Sequence, residues 1–467
     1  MISKWRFMAL QLGRRLWVRA GFFAVLGVAT ALLAIVAERF IPWELPGKIG
    51  ADAVDSILNI LASSMLAVTT FSLTVMVAAY SAATSNVTPR ATKLVMQDTT
   101  TQNVLATFLG TFLFSLVGII ALSTGVYGQR GRVVLFVVVL GVIVVIVVAL
   151  LRWIDHLSRL GRVGETTDRV EKATAAALAG RIETPCLGGR PWLGDPPRPP
   201  DGARAVEAGT VGYVQHVDIG ALSAFAEERD LTLYLAAPPG AFVHEGKPLA
   251  FLVGLAPDSE DRAATEASDE DAEKAAEKAA REKSAADAAV RDAFVIDAER
   301  SFEQDPRFGL SVLAEIASRA LSPAVNDPGT AIDVVGRAVR LLQPWAHRGE
   351  PQPDEATDWD ENRNLGERAG PDEDVACPRV HVPPLAVADL FDDVFAPIAR
   401  DGAGIIEVQM RLQKALIALA EMGDDAMTAA ALEQSRRALA RAEAALTLPD
   451  DVARLRTLLA RDRGRRG

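Results

Sequence analysis

Asn59, Ser63, Thr70, Thr74 and Ser81 carry amide and hydroxyl groups through a stretch otherwise rich in Ala, Val, Leu and Met. At helical periodicity they fall, with Asp52 and Ser56, in one narrow sector of a helix. The chemistry they offer is hydrogen bonding without charge. Hydrocarbon gives such groups no partners, so the sector is expected to face protein or water. Two readings follow. Several copies of this helix around an axis would line a hydrated, uncharged conduit. Alternatively, the small hydroxyl residues let helices approach closely and bond to one another. Thr107, Thr111 and Ser115, with Gly110 and Gly118 nearby, offer a matching stripe for the second reading. Ser64, Thr69 and Ser72 lie off the sector, where they can bond back to carbonyls of their own helix.

A second constellation is RALSPAVNDPGTAID, Arg319–Asp333. Two Asp-Pro steps organise it and the stretch before it. Asp305 is placed to cap a helix beginning at Pro306, and Asp327 one beginning at Pro328, since proline tolerates the first helical position and Asp accepts from the free amides. Ser322-Pro323 ends the first helix, because the residue before proline is pushed out of α geometry. Arg319, Asn326 and Asp327 therefore share a tight corner, where Arg319 and Asp327 could pair. The sharper reading is an anion site on a helix N-terminus. The plainer one is a corner that sets the angle of two helices, and Asp327 favours it by occupying the anion position itself.

TPRATKLVMQD (Thr88–Asp98) reads as a short helix with Thr88 as cap and Pro89 first. Its Arg90 and Lys93 are expected at an anionic lipid surface, the alternative being anion selection at a pore mouth. PPGAFVHEGKPLAFLVG (Pro238–Gly254) resembles the hairpin of lipoyl- and biotinyl-like barrels, with Gly246 in the turn. It lacks a modifiable lysine at the tip, which leaves a small structural barrel. No phosphate-cradling glycine loop, His-Glu-x-x-His or nucleophile elbow is present, so no catalytic residue and no enzyme activity is expected. Five separate histidines, and two cysteines (Cys186 and Cys377) in Pro-rich stretches, leave no metal-spaced set, and no cofactor is expected. The net charge of −11 argues against nucleic acid as a partner.

The elements that must hold these groups begin in the membrane. Four apolar segments reach the roughly 20 residues a spanning helix needs: Val18–Ala37, Ile57–Tyr80, Leu105–Tyr127 and Val133–Leu151. A signal peptide is the competing reading of the first, and its length and the lack of a small-residue cleavage site argue against it. Lys4, Arg6, Arg14, Arg15, Arg19, Arg90, Lys93, Arg152, Arg159 and Arg162 fall on one side of the four spans. Only Arg39, Lys48, Arg130 and Arg132 fall on the other, which places both termini in the cytoplasm of a bacterial inner-membrane protein. No ionisable residue sits centrally in a span, which disfavours ion-coupled transport and leaves a passive channel open.

The expected organisation is a basic N-terminus (1–16), a four-span domain (17–152), and a helix with a Pro/Gly linker (153–202). A small β-rich module (203–254) and an acidic low-complexity insertion (255–284) follow. A helical core with the Asp-Pro caps (285–348), an acidic disordered linker (349–380) and C-terminal helices (381–467) complete it. The fold class is thus an α-helical membrane protein with four transmembrane helices and a cytosolic α+β region.

RALSPAVNDPGTA, with SFEQDPRFGL upstream and TPRATKLVMQD between spans, resembles a bacterial membrane-protein family labelled domain of unknown function 2254. The resemblance runs from the first span to about Gln343 and more loosely beyond. It implies four spans and a cytosolic domain and brings no activity with it. The acidic stretch Pro257–Lys283 departs from that pattern. The functional expectation is a passive oligomeric channel or pore, gated by its cytosolic region, with the lipid bilayer and further copies of the chain as partners. The other class is a non-conducting scaffold or sensor with an unidentified soluble partner.

Overall fold

The computed structural model describes residues 51–96, 98–124, 129–158, 161–194, 197–254, 269–348 and 375–466, with four isolated helical positions before residue 30. The chain divides into two compact units, residues 7–169 and residues 170–467 together with 1–6.

In the first unit, Ala51–Asn86 (α1), Pro89–Met96 (α2), Thr99–Ser123 (α3) and Gln129–Leu157 (α4) follow in order. Among the described residues three windows are long and apolar enough to cross a membrane: Ala53–Ala82, Thr99–Ser123 and Leu135–Leu157. They correspond to the second, third and fourth expected spans. The first, Val18–Ala37, lies outside the described residues but for Gly21, Val25, Val28 and Ala29, so the structure supports three spans. The third span starts earlier than hydropathy suggests because Asp98 caps it, accepting from the Thr101 amide. α1 packs on α3, and α3 on α4, around Leu58, Met65, Phe108, Phe114, Leu135 and Trp153. Gly118 is where α3 comes closest to α1: a Cβ there would lie 3.0 Å from a Leu58 methyl.

Val163–Glu183 (α5) begins after a break, so α4 does not run on into it as one helix; α5 starts in the first unit and passes into the second after Arg169. Gly161, at φ +81, occupies that break with its backbone against Ala79. Eight strands come next: Gly189–Pro191 (β1), Arg204–Glu207 (β2), Gly212–Val217 (β3), Thr232–Leu235 (β4), Phe242–Val243 (β5), Pro248–Val253 (β6), Phe294–Asp297 (β7) and Cys377–Val382 (β8). They build a five-stranded mixed sheet of order β1-β8-β4-β6-β2 and a three-stranded sheet β5-β3-β7. Ile219–Glu228 (α6) and Asp269–Asp292 (α7) pack beside them.

Three expectations change here. The β region is not confined to 203–254. It takes β1 from the expected linker, β7 from the helical region, and β8 from the border of the acidic stretch. Cys377 is accordingly a buried strand residue, not a loop residue. The barrel hairpin is also not formed, since β5 pairs with β3 while β6 pairs with β2 and β4. Gly246 does sit in the turn between them at φ +82. Finally, the acidic segment is helical from Asp269 onward, with 255–268 and most of 349–380 outside the described residues.

The helical remainder is Pro306–Ala320 (α8), Pro328–Ala346 (α9), Val387–Asp401 (α10), Ile406–Met422 (α11), Asp425–Ala445 (α12) and Pro449–Arg466 (α13). α8 packs on α9 and α10, α9 on α11, and α10 and α11 on α12. Their apolar stripes close on buried Leu313, Val334, Phe391, Phe395 and Leu412.

Candidate functional site

The membrane unit places the hydroxyl stripe on the free side of α1. Asn59, Ser63, Thr70, Thr74 and Ser81 are all exposed. The packed side of the same helix is Val54, Leu58, Leu61, Met65, Ser72 and Met76, all buried. At about 100° per residue the two sets lie roughly 160° apart. The stripe is therefore not what holds α1 to α3. On α3, by contrast, Thr111 and Ser115 are buried while Thr107 is half-buried, so that stripe faces inward.

The hydrogen bonding of the exposed stripe is local. Ser63 Oγ donates to the Asn59 carbonyl at 2.9 Å, Thr70 Oγ1 to Leu66 at 2.9 Å, and Thr74 Oγ1 to Thr70 at 3.0 Å. Asn59 Nδ2 donates to the carbonyl and carboxylate of Asp55. Each hydroxyl spends its proton one turn back and keeps acceptor lone pairs that point outward. From Ser63 to Thr74 these hydroxyls give the outer face of α1 uncharged acceptors, set among exposed apolar side chains such as Leu66 and Phe71, with Asp55 near one end. Off the stripe, Ser64 and Thr69 bond back to Leu61 and Met65. Ser72 does not: its hydroxyl, like that of Ser115, is buried without a hydrogen-bond partner.

Sequence reasoning missed a node at the end of the connection between α1 and α3. Asp98 accepts from the Thr101 amide at 2.8 Å and its hydroxyl at 2.5 Å. His156 Nε2, from the end of α4, lies 2.8 Å from the same carboxylate. Arg169 pairs with it at 3.1 Å and with Glu165 at 3.2 Å. Burial alone would raise the Asp98 carboxyl. The bonds from His156 and Thr101 and the Arg169 charge outweigh it and hold the group far below the usual carboxylate range. Asp98 closes the quoted TPRATKLVMQD motif, yet besides nearby Thr101 its partners His156 and Arg169 come from distant parts of the chain, beyond local pattern reading. Within that motif α2 forms as expected, with Pro89 first, Arg90 exposed and Lys93 half-buried.

In the second unit the two Asp-Pro caps form as expected but in unlike surroundings. Asp327 accepts from the Thr330 amide at 3.1 Å and hydroxyl at 2.6 Å, and it is exposed. The hydroxyl bond comes first among the causes that lower its carboxyl. Asn326 next to it adopts φ +50, the left-handed conformation that Asn tolerates in tight turns. The partners described for the carboxylate lie in the Thr330 turn, and Arg319 is not among them.

Asp305 is only 2% exposed. It accepts from the Phe308 amide at 3.1 Å and holds Arg300 in a two-pronged pair at 2.7 and 3.0 Å. Gly240, at φ +91, gives the carboxylate room that any Cβ would fill. The neighbouring Gln304 side chain accepts from the Val217 amide at 3.0 Å, and its own carbonyl accepts from Arg181 at 3.3 Å. Arg307 binds Asp389 at 2.5 Å and Asp393 at 2.6 Å. Gly309 lets α8 approach Thr174 of α5, and a Cβ there would come within 2.8 Å of the Thr174 Cβ. The SFEQDPRFGL run is therefore one knot joining α5, β3, α8 and α10.

Among the described residues no cluster of His, Cys, Asp and Glu could hold a metal ion. Cys186 and Cys377 are both free thiols.

A family model described as "Predicted membrane protein (DUF2254)" matches residues 13–418. An uncharacterised protein of Mycobacterium tuberculosis is 32% identical over 158 residues, which is 33% of this chain and 26% of that protein. Uncharacterised proteins of Mycobacterium bovis and of another M. tuberculosis strain are each 51% identical over 53 residues, 11% of this chain and 10% of theirs. The chain thus spans about a quarter or less of the length of these relatives. No solved structure matches it.

Proposed function

We propose, for a chain that belongs to the DUF2254 family of predicted membrane proteins, that the outer face of α1 lines a passive conduit formed by several copies of the chain. The supporting observation is the position of the stripe: Asn59, Ser63, Thr70, Thr74 and Ser81 are exposed on the side of α1 opposite its packed face. A helix that satisfies its own subunit with one side has the other free for an oligomer axis. The outward lone pairs give the conduit a weak preference for cations over anions, with no ionisable group in the central part of the stripe to bind them tightly. The second unit serves as its cytosolic regulator and is not an enzyme. The protein lies in the bacterial inner membrane with both termini cytoplasmic, an orientation supported by its basic-residue asymmetry. Arg90 and Lys93 then rest at the cytoplasmic lipid surface. Nucleic acid is not a partner.

The test is conductance of the full chain in planar bilayers, beside the Thr70→Leu/Thr74→Leu double variant. Wild type should conduct with modest cation preference. The variant should lose at least about tenfold while melting within a degree or so of wild type, because both side chains are exposed and bonded only to their own helix. Absent conductance in wild type, or equal conductance in the variant, refutes the reading.

One observation favours the non-conducting scaffold as the second reading. Because the hydroxyls donate to their own carbonyls, the face could lie against acyl chains at modest cost. A strict monomer in detergent, combined with silent bilayers, would establish that alternative.

A further inference from the structure

Beside the SFEQDPRFGL knot lies a cleft of about 340 Å³, within the size range of small-molecule sites. Three guanidinium groups line it, Arg181, Arg300 and Arg307, together with the carboxylates of Asp305 and Asp389. Their pairing is unequal. Arg300 is spent on Asp305, and Arg307 on Asp389 and Asp393. Arg181 has no ion pair among the described residues. It is 9% exposed, its single hydrogen bond runs to the Gln304 carbonyl at 3.3 Å, and its Nε has no partner. Burial pulls its guanidinium down to about 10, against the nearby charge of Asp305 and the Cys186 thiol, so it stays charged at neutral pH.

A buried cation with one long hydrogen bond is costly unless something neutralises it. Asp305 offsets part of that charge from nearby, but its oxygens are bonded to Arg300 and to the Phe308 amide and not to Arg181. Arg181 sits in the last turn of α5, where the helix dipole helps a cation by well under the cost of burying it. With Asp393 behind Arg307 the three guanidiniums already face three carboxylates, so the unmet requirement is an acceptor placed directly on Arg181. The guanidinium edge suits a carboxylate, which accepts two parallel N–H bonds and brings a single charge. A phosphate would bring up to about two charges into a cleft whose ionic groups already balance. The rings of Pro239 and Pro383 supply apolar walls for whatever carries the carboxylate.

We propose that this cleft binds a small organic monocarboxylate through Arg181. The inference stands apart from the conduit reading, since it concerns only the second unit, and binding can be measured whether or not the protein conducts.

The experiment is thermal melting of the full chain in detergent with 20 mM acetate, pyruvate or inorganic phosphate, each against sodium chloride at equal ionic strength. Acetate and pyruvate should raise Tm by about 2–4 °C, and phosphate by no more than either. Arg181→Met should melt near wild type without ligand, because no ion pair and only one long hydrogen bond are lost, and should lose the carboxylate response. Ala386→Trp, at the exposed rim of the cleft, should keep the wild-type melting point and also lose the response. No rise with either carboxylate refutes the site, as does an equal rise in both variants. A response to phosphate alone refutes the carboxylate assignment. Should Arg181→Met melt well below wild type while Ala386→Trp still responds, Arg181 is a strut and the proposal falls.

Discussion

Replacing Asp305 with alanine should cost several times what the same change costs at Asp327, although the two residues occupy the same Asp-Pro cap. Both accept from an amide three residues on, at 3.1 Å in each case. Losing that cap is worth about 1 kcal/mol. At Asp327 little else is lost, since the carboxylate is exposed and its remaining bond is to the Thr330 hydroxyl. At Asp305 the change also strips Arg300 of a two-pronged partner whose side chain is 3% exposed, while Arg300 itself is 24% exposed. Breaking a fully buried pair costs about 3–5 kcal/mol, and the partial exposure of Arg300 reduces that to about 2–3 kcal/mol. The expected totals are about 1 kcal/mol for Asp327→Ala and about 3–4 kcal/mol for Asp305→Ala. For a unit of this size about 2 °C of melting temperature corresponds to each kcal/mol, giving shifts of about 2 °C and about 7 °C. Asparagine separates the contributions, because it caps as well as aspartate but carries no charge. Asp327→Asn should be near neutral, and Asp305→Asn should keep most of the alanine penalty. The assay is thermal melting of each full-length variant in one detergent. Equal shifts for the two alanine variants, or a harmless Asp305→Asn, would show that the knot around Arg300 contributes nothing and that the cap is the whole effect.

Other outcomes follow from the same geometry. Asp98→Asn should destabilise the membrane unit most at neutral pH. A carboxyl held below its unfolded value stabilises above the ordinary carboxylate range, near 3.9, and that contribution disappears only as pH falls through its lower folded value. Melting curves of wild type and variant should therefore stay apart from pH 7 to about pH 5, begin to approach below about pH 4 and meet only well below pH 3; full convergence near pH 4 contradicts the node. Gly309→Ala should cost about 1–3 kcal/mol in Tm measurements despite better helix propensity, because its Cβ overlaps Thr174, and adding Thr174→Gly should restore much of the loss. Cys377 is 1% exposed and burial pushes its thiol up, so maleimide should label it only on unfolding.

Much of this architecture could be read directly from the chain. Long apolar runs announce membrane helices because a bilayer demands length and hydropathy, both local properties. Asp305-Pro306 and Asp327-Pro328 announce helix starts because capping is settled within four residues. The hydroxyl stripe was legible for the same reason, since helical periodicity alone places Asn59, Ser63, Thr70, Thr74 and Ser81 on one face. Other features were hidden. β8 was obscured because Cys377–Val382 is six residues long and follows an acidic stretch; its pairings, Gly189 with Cys377 and Leu233 with Val380, join residues far apart in the chain. The Asp98 node and the Arg181 cleft were hidden likewise, since each gathers single charges from separate elements that carry no local signature.

The sequence by itself settled what each segment is: an apolar span, a capped helix, an acidic stretch, a row of alcohols. It did so because periodicity, capping and hydropathy act over a few residues. Tertiary structure alone decided which side of α1 is occupied, which of two identical caps is buried, and which arginine is left without a counterion. Those depend on neighbours brought together by packing, and burial gives the same side chain a different energy in each place.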